Sequence, residues 1–221
     1  MTTPSLRTTG ARSVRLPAFE FAQTVDRDIA ALSREDYFLR KGRAKRLQEE
    51  LYPLSRFALH LVFPGNFVEV EAPENDGPYD GIIRFGPQDA RELSVQVTYV
   101  HSYEAALRRE LMWKTGSAPC AGPIYRDRST GKIIAKSALI PTEHEIEKLA
   151  SDIVDLHQKK CQKRYERGTI LIVAFEDSTF FGRSIWQKLI AAIDAKSDLS
   201  GGGFSEVHFF NCGSNELQAD T

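Results

Sequence analysis

The stretch ELSVQVTYV, residues 92–100, decides the fold. Leu93, Val95, Val97 and Tyr99 alternate with Glu92, Ser94, Gln96 and Thr98. One face of an extended chain is then apolar and the other polar, the pattern of a strand packed on a core through one side. Working upstream, DGIIRF (residues 80–85) and FVEVE (residues 67–71) also read as strands. Gly86-Pro87-Gln88-Asp89 and the loop around Asn75-Asp76-Gly77 separate the three. Strands joined by such short turn-forming segments predict an antiparallel meander. Downstream, TILIVAF (residues 169–175) is an unbroken apolar run, which suits a strand buried on both faces. A last strand is expected over residues 207–210.

Helices fill the rest. Ser33 is placed to cap a helix over residues 34–51, with Asp36 in the capping-box register; Pro53 should kink or end it, or the helix restarts at Leu54 and runs to His60. Ser102 caps a second helix to about residue 113. A third, over residues 143–166 with Thr142 as its cap, carries Ile146, Leu149, Ala150, Ile153, Leu156 and Lys160 at helical spacing. A fourth is expected over residues 180–195, with Phe180, Phe181 and Trp186 in the core. The order predicts an α/β fold with a central mixed sheet flanked by helices. The organisation expected is a mobile arm over residues 1–18, one α/β domain over 19–212 and a frayed tail over 213–221.

Composition narrows the function classes. The chain has 221 residues, 42% of them hydrophobic and 27% charged, which fits a folded globular chain. No apolar run approaches the ~20 residues a spanning helix needs, and no signal-like apolar core opens the chain. Three widely spaced cysteines form no CxxC, which argues against a disulfide framework and fits a reducing, cytoplasmic setting. No phosphate-loop, dinucleotide-binding or nucleophile-elbow motif is present. Lys and Arg total 29 against 30 Asp and Glu, but residues 1–60 hold 11 basic and 7 acidic residues and residues 61–120 hold 5 and 9. A basic first third followed by an acidic middle third makes local charge more telling than the sum.

Asp80 opens one strand and Glu92 opens the next. A short turn between them should bring the two carboxylates together, a donor pair suited to a hard cation such as Mg²⁺. Asp80 and the strand ELSVQVT resemble the signature of the PD-(D/E)XK nuclease superfamily, and the order of elements over residues 34–210 is similar to its restriction-endonuclease-like αβββαβ core. The resemblance implies a metal-dependent nuclease cutting DNA phosphodiester bonds, with Asp80 as the first acid and Gln96 in place of the family's lysine. Glu49 or Glu50 would be the auxiliary acid. Ser94 stands where the second acid belongs. Either Asp80 and Glu92 hold Mg²⁺ while Ser94 or Gln96 orients water, or Ser94 and Gln96 are a degenerate pair in a domain that only binds nucleic acid or protein. Glu69 or Glu71 is the other source of a second acid. DNA is the expected partner, a membrane is not, and a homodimer is left open.

Two basic clusters can meet phosphates. The first is Arg40, Lys41, Arg43, Lys45 and Arg46; the second is Lys159, Lys160, Lys163, Arg164 and Arg167. Cations at a helix C-terminus are favoured by the macrodipole alone, so the first ranks higher. The long segment 116–131 and its continuation place Tyr125 among Arg126, Arg128 and Lys132, an aromatic among cations that can stack on a base. His101 follows the third strand, which can bring it near Asp80 to serve as a base, and Cys120 lies in the long segment 116–131.

Overall fold

The computed structural model describes residues 14–73, 77–86, 91–166, 168–177, 182–197, 199 and 203–219. Its centre is a seven-stranded sheet ordered β1 (Val14–Pro17), β2 (Val68–Ala72), β3 (Gly81–Phe85), β4 (Glu92–Tyr99), β7 (Thr169–Phe175), β8 (Phe204–Asn211), β9 (Glu216–Ala219). The strands from β1 to β4 pair antiparallel, β7 and β8 join in parallel, and β9 returns antiparallel. A separate hairpin, β5 (Ile124–Arg126) with β6 (Ile133–Ala135), occupies the long Gly/Pro segment.

The alternation in β4 does what it predicts. Val95, Val97 and Tyr99 join Ile83 of β3 and Val70 of β2 in one core, against α1 (Ala18–Ala30) and α4 (Tyr52–His60). A second core lies on the other face of the parallel half. There Leu171, Val173 and Phe175 of β7 meet α6 (Thr142–Cys161) and α7 (Arg183–Asp194). All seven residues of β7 are buried, as its unbroken apolar run requires. Trp186 is in this second core. Phe180 and Phe181 lie outside the described residues.

The face of the meander opposite the first core buries Ile82 and Gln96, with a charged stretch beside them. That face carries a ladder of alternating charge: Arg15 faces Glu69 and Glu71, and Arg84 bonds to Glu71 and to Glu92. Cross-strand pairs of opposite sign suit a solvated sheet face and are worth only a few tenths to 1 kcal/mol each.

Several expectations need correcting. The helix over residues 34–51 is two pieces. Ser33 does cap α2 (Arg34–Leu39), its Oγ accepting from the Asp36 N–H at 3.0 Å. The chain then turns at Arg40, whose φ of 47° is left-handed, and restarts as α3 (Arg43–Arg46). A π-helical turn (Leu47–Leu51) leads straight into α4, so Pro53 ends nothing. A proline lacks an N–H and its ring crowds the carbonyl four residues back; the wider turn just before it relieves both. Helix α5 (Tyr103–Thr115) is capped by Ser102 as expected, but α6 starts at Thr142 itself, with Pro141 before it. Residues 14–17 are an edge strand rather than part of an arm, and residues 216–219 are β9 rather than a frayed tail. Both are four-residue strands at sheet edges, where pairing with a neighbour supplies what the local pattern lacks. Residues 1–13 lie outside the described residues. Among the described residues, no helix is long and apolar enough to cross a membrane.

Candidate functional site

Asp80 sits one residue before β3. Its N–H donates to the Val95 carbonyl at 2.9 Å and its Oδ2 accepts from the Val97 N–H at 2.7 Å. The two bonds straddle Gln96 and fix the carboxylate beside that residue. Gln96 is only 5% exposed. Its Nε2 donates to the Pro78 carbonyl at 2.7 Å, and its Oε1 accepts from Lys160 Nζ at 3.0 Å. The same ammonium lies 3.5 Å from the Val97 carbonyl. Burial holds the Lys160 amine below its ordinary range; the Asp80 and Glu50 carboxylates act against that shift, and the neighbouring Lys163 adds to it. Burial, and then the Asp80 charge, push the Tyr165 phenol up. Asp80, Gln96 and Lys160 therefore form one polar constellation where β3, β4 and the end of α6 meet, with Glu50 and Tyr165 within electrostatic reach.

This is not the constellation expected. In the register of β3 on β4, Gly81 lies opposite Val95, Ile82 opposite Ser94 and Arg84 opposite Glu92. An antiparallel hairpin places the start of one strand beside the end of the next, so Asp80 meets Gln96 and Glu92 is held at the far end by Arg84, at 2.7 Å. Glu69 and Glu71 belong to the charge ladder. Ser94 lies one pleat away from Gln96 and is not joined to Asp80 by any hydrogen bond among the described residues. Of the two early glutamates, Glu50 acts on Lys160 while Glu49 turns elsewhere. Lys160 continues the apolar stripe of α6, and a lysine in a stripe that faces the core is the sequence signal for a buried ammonium.

The donor set does not fit Mg²⁺. That ion requires near-octahedral oxygen ligation. Among the described residues Asp80 is the carboxylate bonded to β4, with one oxygen taken by a backbone N–H; Glu50 is within electrostatic reach of Lys160, and the Gln96 amide oxygen accepts from that ammonium. Among the described residues, no group of three His, Cys, Asp or Glu side chains converges to hold a metal.

Four of the five cations in the first basic cluster are held in ion pairs, and of these Arg40 is the one turned deepest inward. Arg40 donates to the Tyr99 hydroxyl at 3.0 Å and to Glu176 Oε2 at 2.5 Å, and lies 4.0 Å from Glu49. Arg43 pairs with Asp28 at 2.6 Å, Lys45 lies 4.0 Å from Glu49, and Arg46 holds Glu50 and the Pro73 carbonyl. Lys41 alone is exposed without an ion pair among the described residues. Arg40 organises the carboxyl ends of β4 and β7, while Lys41, Arg43 and Lys45 stay exposed to solvent. His101 belongs to the same cluster, its Nε2 3.2 Å from Glu49 Oε2, and so it serves Glu49 rather than Asp80. Arg109 of α5 adds a second guanidinium there. Burial and the Arg40 charge hold it below its ordinary range, and its Nε is buried with no hydrogen bond. The Cys212 thiol, at the end of β8, is pushed up to about 12 by burial and the nearby Glu176.

The second cluster is presented outward. Lys159, Lys163 and Arg164 are exposed at the end of α6, and none has an ion pair among the described residues. Arg167 lies outside the described residues. Three solvated cations thus surround the point where Lys160 turns in toward Gln96. Cys120 is an exposed free thiol with no base beside it among the described residues. Comparison with known proteins adds no relative: no family model, no curated protein and no solved structure matches the chain.

Proposed function

We propose that the chain is a restriction-endonuclease-like domain that binds the DNA backbone at the end of α6 and does not cleave it. The order of helix, antiparallel meander, helix and parallel strand supports the fold. The observation that carries the function is the Asp80–Gln96–Lys160 constellation with Lys159, Lys163 and Arg164 exposed around it. Ser94 stands where a cutting site needs a second acid, and Gln96, in place of the family's lysine, has its amide oxygen taken up by the Lys160 ammonium. Such a site neutralises phosphate charge without activating water.

Fluorescence anisotropy with a labelled duplex tests the reading. Affinity should fall steeply with added salt. Replacing Lys159, Lys163 and Arg164 together by alanine should weaken binding for all sequences and flatten the log–log salt slope by about 2–3, at roughly 0.9 per phosphate contact. Supercoiled plasmid should stay intact with Mg²⁺ or Mn²⁺. Binding indifferent to salt overturns the proposal, as does Mg²⁺-dependent nicking that Asp80→Ala abolishes.

A further inference from the structure

The β5–β6 hairpin packs against the first turn of α5, and two large aromatics stay in solvent there. Tyr103 opens α5 and is 62% exposed; Tyr125 on β5 is 50% exposed. With Arg126, Asp127 and Arg128 they line an open pocket of about 510 Å³. That volume lies within the roughly 300–1,000 Å³ range of small-ligand sites.

The walls are fixed from behind. Arg126 bonds to Glu110 and to the Gly131 carbonyl at 3.1 Å, and it also engages the Tyr103 hydroxyl. Asp127 Oδ1 accepts from the backbone and hydroxyl of both Ser129 and Thr130 at 2.6–3.0 Å. Arg108 holds the Pro119 and Gly122 carbonyls. Gly122, at a φ of 105°, passes so close to the returning strand that a Cβ would lie 2.2 Å from the Lys136 carbonyl. A hairpin this constrained presents its rings with little entropy left to lose on binding. Arg128 is exposed on the rim, with no ion pair among the described residues.

We propose that this pocket stacks an unpaired nucleobase on Tyr103 and Tyr125, with Arg128 on the adjoining phosphate, so that the chain holds single-stranded nucleic acid better than duplex. Aromatic faces beside a cation bind bases without regard to sequence, because every base offers a π-face. A duplex keeps those faces stacked and out of reach. The inference rests on the nucleic-acid reading above but uses different residues.

The test is anisotropy with labelled oligothymidine of about 15 nucleotides, within the range of single-strand sites, and with a duplex of the same length. The wild-type chain should bind the single strand more tightly. Tyr103→Ala with Tyr125→Ala should weaken single-strand binding about tenfold or more and leave duplex binding unchanged. The double Phe variant, which keeps both rings, should retain affinity for the single strand. Equal affinity for the two forms, untouched by the Ala pair, overturns the pocket and leaves the α6 interface standing. Single-strand binding sensitive only to the tyrosines, without duplex binding, overturns the α6 interface and supports the pocket. Binding of neither form overturns both. Both tyrosines are exposed, so an unchanged thermal midpoint separates these outcomes from misfolding.

Discussion

Two arginines within electrostatic reach of each other show how little a residue's type says about its role. Arg40 and Arg109 share one buried cluster with Glu49, Glu176 and Tyr99. Arg40 is bonded to Tyr99 and Glu176 and stands over the Tyr99 ring, its Cζ 5.5 Å from the centroid. These bonds and charges outweigh desolvation and raise its pKa. Both leave a buried Nε without a hydrogen bond, but among the described residues Arg109 makes no bond to Tyr99 or Glu176 as Arg40 does, and desolvation prevails. Removing one partner of a buried ion pair costs about 3–5 kcal/mol, whereas removing a buried charge that gains little can be neutral or stabilising. Arg40→Met should therefore lower stability by about 3–5 kcal/mol. Arg109→Met, which keeps the stem and its packing, should cost nothing or gain about 1 kcal/mol. Urea midpoints of the two variants decide this, and an Arg109 variant that loses as much as the Arg40 variant refutes it. The sequence shows both only as basic residues in helical stretches and cannot separate them, because the difference is made by the hydrogen bonds of Arg40 to Tyr99 and Glu176, far away in the chain.

At the scale of elements, local pattern was a good guide where each strand makes its own face and a poor one where a neighbour makes it. The β4 alternation and the unbroken apolar run of β7 are legible because burial on one or both sides is written in two-residue periodicity. The resemblance set Asp80 and Gln96 in one site, but the separation of Asp80 from Glu92 was hidden, because register is set by how the hairpin closes and not by where each strand begins. Lys160 was visible as a helical-stripe position but not as a partner of Gln96. The edge strands were hidden for a related reason. In β9, Leu217 lies opposite Phe210, and Glu216 accepts from the Trp186 indole at 2.5 Å. A chain ending at Cys212 loses that cover and exposes the edge of β8, whose unpaired N–H and C=O groups invite another chain. Such a truncation should lower the thermal midpoint and drive concentration-dependent self-association, read by light scattering after size exclusion. A dispensable tail would leave both unchanged.

At the scale of the molecule, the balance of 29 basic against 30 acidic residues is made of local compensation. The basic first third is answered by Asp28, Glu49, Glu50 and Glu176, and much of the acidic middle third by Arg15 and Arg84. Net charge is thus a weak guide to a surface that, among the described residues, leaves exposed cations without ion pairs at the end of α6, on the hairpin and at Lys41. The buried groups set a pH limit instead. Burial raises the Cys212 and Cys161 thiols and the Tyr99 and Tyr165 phenols above their ordinary values of 9.0 and 10.0. Above pH 9 the unfolded chain releases these protons before the folded one does. The folded state then binds more protons, so stability falls as pH rises. Lys160 acts in the opposite sense: its lowered pKa means that the folded chain releases that proton first, which adds stability as pH climbs toward 10.5. Four acids outnumber one amine, and the net is a loss. The urea midpoint should be flat from pH 7 to about 9 and then fall, with Cys212 contributing up to about 12. Cys212→Ala should shallow the fall from pH 9 and Tyr99→Phe the fall beyond 10, whatever their effect on stability at pH 7. A midpoint unchanged to pH 11, or slopes identical in both variants, would show that these groups are solvated in the folded chain.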